Sequence, residues 1–164
     1  MEANDVLAKL KQIPLFTEIK ENSGFMDELL RISRIKNYSR GDCIIREGEV
    51  GDEMYIVLTG GVEIRKKTRA GDDYTVVRLR AEGNVFFGEL ALIDDDTRSA
   101  TVIATEDSSF IVINKKSFLQ LGNQYPQIGL PITRAISRRV ASSLRKTTED
   151  MLTLFDALVN EVKG

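Results

Sequence analysis

A mainly β domain flanked by helices is what this sequence predicts, and three observations predict it. Eight of the 12 glycines lie between Gly41 and Gly88, so turns there alternate with runs short enough to be strands. Within that region Val62-Glu63-Ile64-Arg65 and Val77-Arg78-Leu79-Arg80 alternate apolar and polar side chains, the period of a half-buried strand. On either side, apolar residues recur every three or four positions, the period of a helix with one buried face. About seven short strands with tight turns suggest a jelly-roll β-barrel or a β-sandwich. A length of 164 residues suits one such domain with an appended helix.

Each element follows in order. Val6, Leu7 and Leu10 share helical spacing ahead of Pro14, as do Phe25, Met26, Leu29, Leu30 and Ile32 after Asn22-Ser23-Gly24, which supplies a helix cap. Cys43 stands in a Cys-Ile-Ile run and is expected to be a buried strand residue, because free cysteine packs as a small hydrophobe. Residues 54–58 are mostly apolar and read as a strand; 62–65 and 77–80 are two more, with a hairpin turn at Ala70-Gly71-Asp72-Asp73 between them. Residues 100–105 and 110–113 add strands, joined by Glu106-Asp107-Ser108. The last helix is expected to carry Pro131 in its first turn, where a missing N–H is harmless. Its apolar stripe runs through Ile132, Ile136, Val140, Leu144, Thr148, Met151, Phe155, Leu158 and Val162. At 1.5 Å per residue such a helix is roughly 45–50 Å long, more than the barrel covers. From Leu144 the spacing is 4, 3, 4, 3, 4, a heptad seam for another helix. Residues 1–126 are thus expected to hold the barrel and N-terminal helices, and 127–164 a lid and dimerisation helix.

Composition excludes several function classes. Lys plus Arg number 23 and Asp plus Glu 25, a net charge of −2, unlike the basic balance of a general nucleic-acid or anionic-membrane binder. There is no His, which removes Ser-His and Cys-His catalysis and His-ligated metals. One Cys makes neither an internal disulfide nor a thiolate cage. The longest uncharged stretch, 117–133, contains Asn, Gln, Gly and Pro and is too polar and short to span a bilayer. The first residues lack a basic start and apolar core, so no secretory signal is expected and the cytoplasm is the expected location. Asp94-Asp95-Asp96 lacks the spacing of a calcium loop and reads as a solvated loop, one that would weaken phosphate attraction if it folded close to Arg98. No metal and no cofactor is expected.

The chemistry concentrates in residues 87–102. Gly88 precedes Glu89 at the start of a short helical run, and Arg98 follows nine residues after Glu89, with Ser99 next. Backbone N–H groups at a helix start attract an anion. An arginine offers phosphate a planar, two-pronged donor. An ionised glutamate only accepts hydrogen bonds, so beside a phosphate it needs sugar hydroxyls to be useful. The set suits a ribosyl phosphate; a plain ion pair between Glu89 and Arg98 fits the same residues.

The stretch Phe87-Gly88-Glu89-Leu90-Ala91-Leu92, a short loop, then Arg98-Ser99-Ala100-Thr101-Val102 resembles the phosphate-binding cassette of the cyclic nucleotide-binding domain family. That family includes the bacterial cAMP receptor protein and the regulatory subunits of cAMP-dependent protein kinase. Arg40-Gly41-Asp42, Glu47-Gly48, and the run from Gly51-Asp52-Glu53 through Gly60 to Val62 resemble its glycine-studded early strands, and Ile13-Pro14-Leu15-Phe16 its usual opening.

The resemblance implies a jelly-roll barrel with N-terminal helices and a long C-terminal helix. It implies that Glu89 accepts from the ribose 2′-hydroxyl and Arg98 grips the cyclic phosphate. Backbone groups of Gly88, Leu90 and Ala91 would assist, and Ser99 would add a hydroxyl. Ser142 would reach the base in its own subunit and Ser143 the base in a partner subunit, with Ile64 and Val77 packing on the purine. Thr97 stands where many members have proline, and Gly83 to Gly88 is one residue longer than usual, so a bulge is expected with Phe86 or Phe87 turned inward.

Together these readings imply a stand-alone cytoplasmic cyclic-nucleotide sensor that binds cAMP, forms a homodimer through the last helix and signals to an unidentified effector protein as that helix moves. No catalysis is expected. With the sequence ending at Gly164, no helix-turn-helix follows and no direct DNA binding is expected. A cGMP sensor and a nucleotide-independent dimerisation or scaffold module are the alternatives. Charge along the last helix, basic before residue 147 and acidic after 148, favours antiparallel pairing, whereas the apolar register leads us to expect parallel pairing.

Overall fold

The computed structural model describes residues 3–68 and 70–163. Among these residues eight strands form: β1 (Ser33–Tyr38), β2 (Cys43–Ile45), β3 (Glu53–Thr59), β4 (Gly61–Lys67), β5 (Asp73–Arg80), β6 (Phe86–Phe87), β7 (Thr101–Ala104) and β8 (Ser108–Asn114). They make two antiparallel four-stranded sheets, in the orders β1-β8-β3-β6 and β2-β7-β4-β5. The expectation was about seven strands. β6 is only two residues long, and β1 is Ser-Arg-Ile-Lys-Asn-Tyr, whose polar run hides its strand period.

Alternation decides which side chains meet. Val62, Val102, Val57 and Phe110 face one another between the sheets. Tyr55 and Phe87 stack at 5.3 Å, and both meet Phe110 edge-on. A second cluster lies under the helices, joining Leu10, Phe16, Met26 and Leu29 to Met54, Ile56 and Ile111. The helices are α1 (Ala3–Gln12), α2 (Ser23–Arg31), α3 (Lys115–Gln124) and α4 (Pro126–Lys163). Asn22 caps α2, its Oδ1 accepting from the Phe25 N–H at 3.1 Å.

Three local expectations need correcting. α4 begins at Pro126, so Pro131 lies inside it. The helix gains an extra turn because Pro126 itself takes the first position and Ile128 is fully buried. Cys43 is in a strand but exposed, since the register shifts between Cys43 and Ile45, and Ile45 is the one turned inward. In the lengthened segment before Gly88, Asn84 takes the left-handed conformation and both Phe86 and Phe87 are buried.

α4 divides at about residue 140. Ile128, Ile132 and Ile136 are fully buried against the domain. Beyond them the stripe has no cover: Leu144, Met151, Leu152, Leu154, Phe155 and Leu158 are each 60–67% exposed. The side chain of Val162, the last expected seam position, lies outside the described residues.

Candidate functional site

Gly88 has φ +74°, and a Cβ there would approach the Arg98 guanidinium at 2.9 Å and the Glu53 carbonyl at 3.0 Å. Only glycine suits both the conformation and the space. It starts a single 3-10 turn over Glu89–Leu92 that the Ala91 N–H closes onto the Gly88 carbonyl at 3.2 Å. The returning loop is tied at its end. Thr97 bridges Val50, and Arg98 exchanges backbone bonds with Gly48 and Glu49 at 2.9 and 2.8 Å. Thr97 therefore sits in an ordered bridge.

The turn and the returning loop wall a cavity of about 470 Å³, in the range that holds a small ligand. Gly88, Glu89, Leu90, Ala91, Arg98, Ser99, Ile64 and Val77 all line it. So do Ile45, Phe86, Phe87 and Val102, which make one side apolar. Asp94 and Asp96 reach its rim, while Asp95 pairs with Lys115 at 2.6 Å. No helix is long and apolar enough to cross a membrane, and no cluster of metal-ligating side chains occurs, among the described residues.

Arg98 is half-buried. Its guanidinium donates to the Glu53 carbonyl at 2.6 Å and the Gly88 carbonyl at 3.4 Å. Among the described residues no carboxylate pairs with it. The nearby Glu53 carboxylate is already taken by Lys36 and the Tyr55 hydroxyl, both at 2.7 Å. Burial draws the Arg98 pKa below its ordinary value, against the opposing influence of Tyr55, Asp52 and Glu53. Arginine stays protonated even so. The cavity thus holds a partly desolvated cation whose side-chain hydrogen bonds, among the described residues, go to backbone carbonyls. Gly51 leaves room for it, since a Cβ there would collide with the Arg98 guanidinium.

Glu89 and Arg98 do not pair with each other. Glu89 accepts instead from Arg139 on α4, Nε to Oε1 at 2.7 Å. The Arg139 guanidinium also lies 4.6 Å from the centroid of the Phe86 ring and lines the cavity. Ser142 and Ser143 are exposed one turn further on and are not among the cavity's lining residues. Sequence reasoning missed Arg139. The available signal was its position, seven residues after Ile132 and three after Ile136, which places a cation on the face that docks onto the domain.

Comparison with known proteins identifies the family. The family profile described as Cyclic nucleotide-binding domain matches residues 35–125. Human cGMP-dependent protein kinase 2 is 32% identical over 120 residues, covering 73% of this chain and 15% of the kinase. The cAMP-dependent protein kinase regulatory subunit of Mycosarcoma maydis is 34% identical over 119 residues, covering 68% of this chain and 21% of that protein. The crystal structure of the Thermus thermophilus catabolite activator protein superposes with TM-score 0.75 at 25% identity, covering 86% of this chain and 62% of that one. The chain belongs to the cyclic nucleotide-binding domain family. It spans less than a quarter of the length of these two kinase relatives.

Proposed function

We propose that this chain is a cytoplasmic cyclic-nucleotide sensor that binds cAMP and passes the signal on through α4, with no chemical step of its own. The observation that carries this reading is Arg98, a half-buried cation without a carboxylate partner among the described residues, in a cavity of ligand size. Such a group favours an anion, and its flat fork matches two phosphate oxygens. The cavity's apolar side, with Ile64 and Val77, supports purine packing, and Ser99 adds a hydroxyl beside Arg98. An intact unpaired arginine counts against a scaffold that ignores nucleotide.

Glu89 supplies the link to α4. A ribose 2′-hydroxyl donating to Glu89 competes with Arg139 for the same carboxylate. Nucleotide binding therefore loosens the last docked turn of α4, held otherwise by Ile136 and by Arg134 and Arg138 on Glu18. The ligand selects between two helix positions by its differential affinity for them. In our reading the exposed seam beyond residue 140 pairs two copies into a homodimer, and Ser143 contacts the partner's ligand there, with Ser142 facing its own. An effector protein reads the change.

A cGMP sensor is the second reading. Relatives named for cGMP support it, and so does Arg139, whose guanidinium at the cavity rim could donate to guanine O6 and N7. Calorimetry tests both. The wild-type chain is expected to bind cAMP one to one, and more tightly than cGMP. Arg98→Leu is expected to lose at least tenfold in affinity, each charge-assisted bond being worth roughly 1.5–3 kcal/mol. Unchanged affinity in Arg98→Leu would remove the phosphate site, and a preference for cGMP would install the second reading.

A further inference from the structure

Strands β4 and β5 carry two hollows on opposite faces. Ile64, Val77 and Leu79 turn toward the nucleotide cavity. The alternate residues Glu63, Arg65, Arg78 and Arg80 turn the other way, into a groove of about 400 Å³ that Arg40, Ile103 and Thr105 complete. Glu63 is only 7% exposed. Its carboxylate accepts from Arg65 Nη2 and, at 3.4 Å, from Arg78 Nε. Two guanidinium groups thus pair with one buried carboxylate, and Arg40 and Arg80 line the same groove. Arg40 and Arg80 make no ion pair among the described residues. β5 is also the end strand of its sheet, and seven of its eight residues are exposed.

We propose that this groove and the β5 edge take an extended acidic segment of a partner polypeptide, laid beside β5 as an added strand. An end strand offers a partner backbone its free N–H and C=O groups. Side chains of an added strand alternate between the faces, so carboxylates at every second position fall opposite Arg78 and Arg80. Arginine forks suit carboxylates. Asp73 at the far end of β5 keeps the acidic positions toward residues 78–80. Charges often only protect a sheet edge. Here a buried carboxylate orients two of the arginines, and the four converge on one groove, which edge protection does not require.

The proposal is independent of which nucleotide occupies the other face. Its test uses the labelled full chain, titrated with a synthetic peptide alternating Glu and Thr and with its Lys–Thr counterpart, followed by amide chemical shifts. The Glu peptide should shift β4 and β5 amides and the Lys peptide should not. Arg40→Glu with Arg80→Glu should weaken Glu-peptide binding at least tenfold while leaving cAMP affinity unchanged, and N-methylation of alternate peptide amides should weaken it several-fold. Absence of β5 shifts, or binding untouched by the Arg substitutions, would overturn it. Inorganic phosphate producing the same shifts at similar concentration would make the groove a small-anion site instead. Unaltered binding of the methylated peptide, or preferential binding of anionic lipid vesicles, would likewise exclude strand addition.

Discussion

The two halves of α4 both carry an apolar stripe at helical spacing, and the stripes have opposite fates. Before residue 140, Ile128, Ile132 and Ile136 are fully buried, and three arginines reach Glu18 and Glu89 on the body of the domain. After it, six large apolar side chains stand 60–67% exposed on one helix. Periodicity reports that a face is apolar and says nothing about what covers it. The domain covers α4 only as far as it extends beneath it, and at about 57 Å the 38-residue helix outruns it. Arg139 lies at the border, so the last contact of the docked half is also a contact with the cavity.

Substitutions on either side of that border should therefore behave differently. The largest effect is expected from Ile136→Ala, about 2–5 kcal/mol of lost stability through a cavity in the core. Leu144→Ala should change the stability of dilute protein by no more than about 0.5 kcal/mol. Denaturant titration of both variants checks this, and equal losses would erase the distinction between the halves. Next, Phe155→Glu should convert a concentration-dependent dimer to monomer in sedimentation, because burying such a side chain contributes roughly 1.5–3 kcal/mol and a charge there opposes it. At concentrations low enough for the wild type to be monomeric, the unfolding midpoint should be the same in both. A wild type that stays monomeric at all concentrations would leave the seam to a different partner.

The smallest effect belongs to the border itself. Arg139→Gln removes a half-exposed ion pair, which costs stability by less than about 1 kcal/mol. It also frees Glu89, so cAMP affinity should rise several-fold, and Arg139→Lys should restore much of the competition. Weaker binding in Arg139→Gln would make Arg139 a ligand contact and not a competitor. Glu89→Gln sharpens the same point: the wild type is expected to bind 2′-deoxy-cAMP more weakly than cAMP in calorimetry, and the variant should lose that discrimination.

Local signals made much of this molecule legible from sequence. The glycines bounded the strands, since turns at Gly41, Gly48, Gly60, Gly71 and Gly88 all have positive φ. The residues from Phe87 to Val102 carried the resemblance to a phosphate-binding cassette, while the partners that tie down its far end, Gly48, Glu49 and Val50, lie elsewhere in the chain. Failures occurred where a local pattern was thin or ambiguous. β6 is too short to show a period, β1 too polar, and a register shift beside Cys43 reversed the expected burial.

What the sequence by itself determined, then, was the class of fold and several of the residues that line the cavity, because turn conformation and strand alternation act over a few residues. Tertiary structure decided which partners the charges around the cavity and the β4–β5 groove take across the fold. Arg98 meets the carbonyl of Glu53 and not a carboxylate, Glu89 meets Arg139 and not Arg98, and Glu63 gathers Arg65 and Arg78. The choice among several arginines and acids follows from which strands lie side by side and where α4 docks. Those placements are set by burial of apolar side chains such as Ile132, Ile136 and Phe110, which pack against residues distant in sequence.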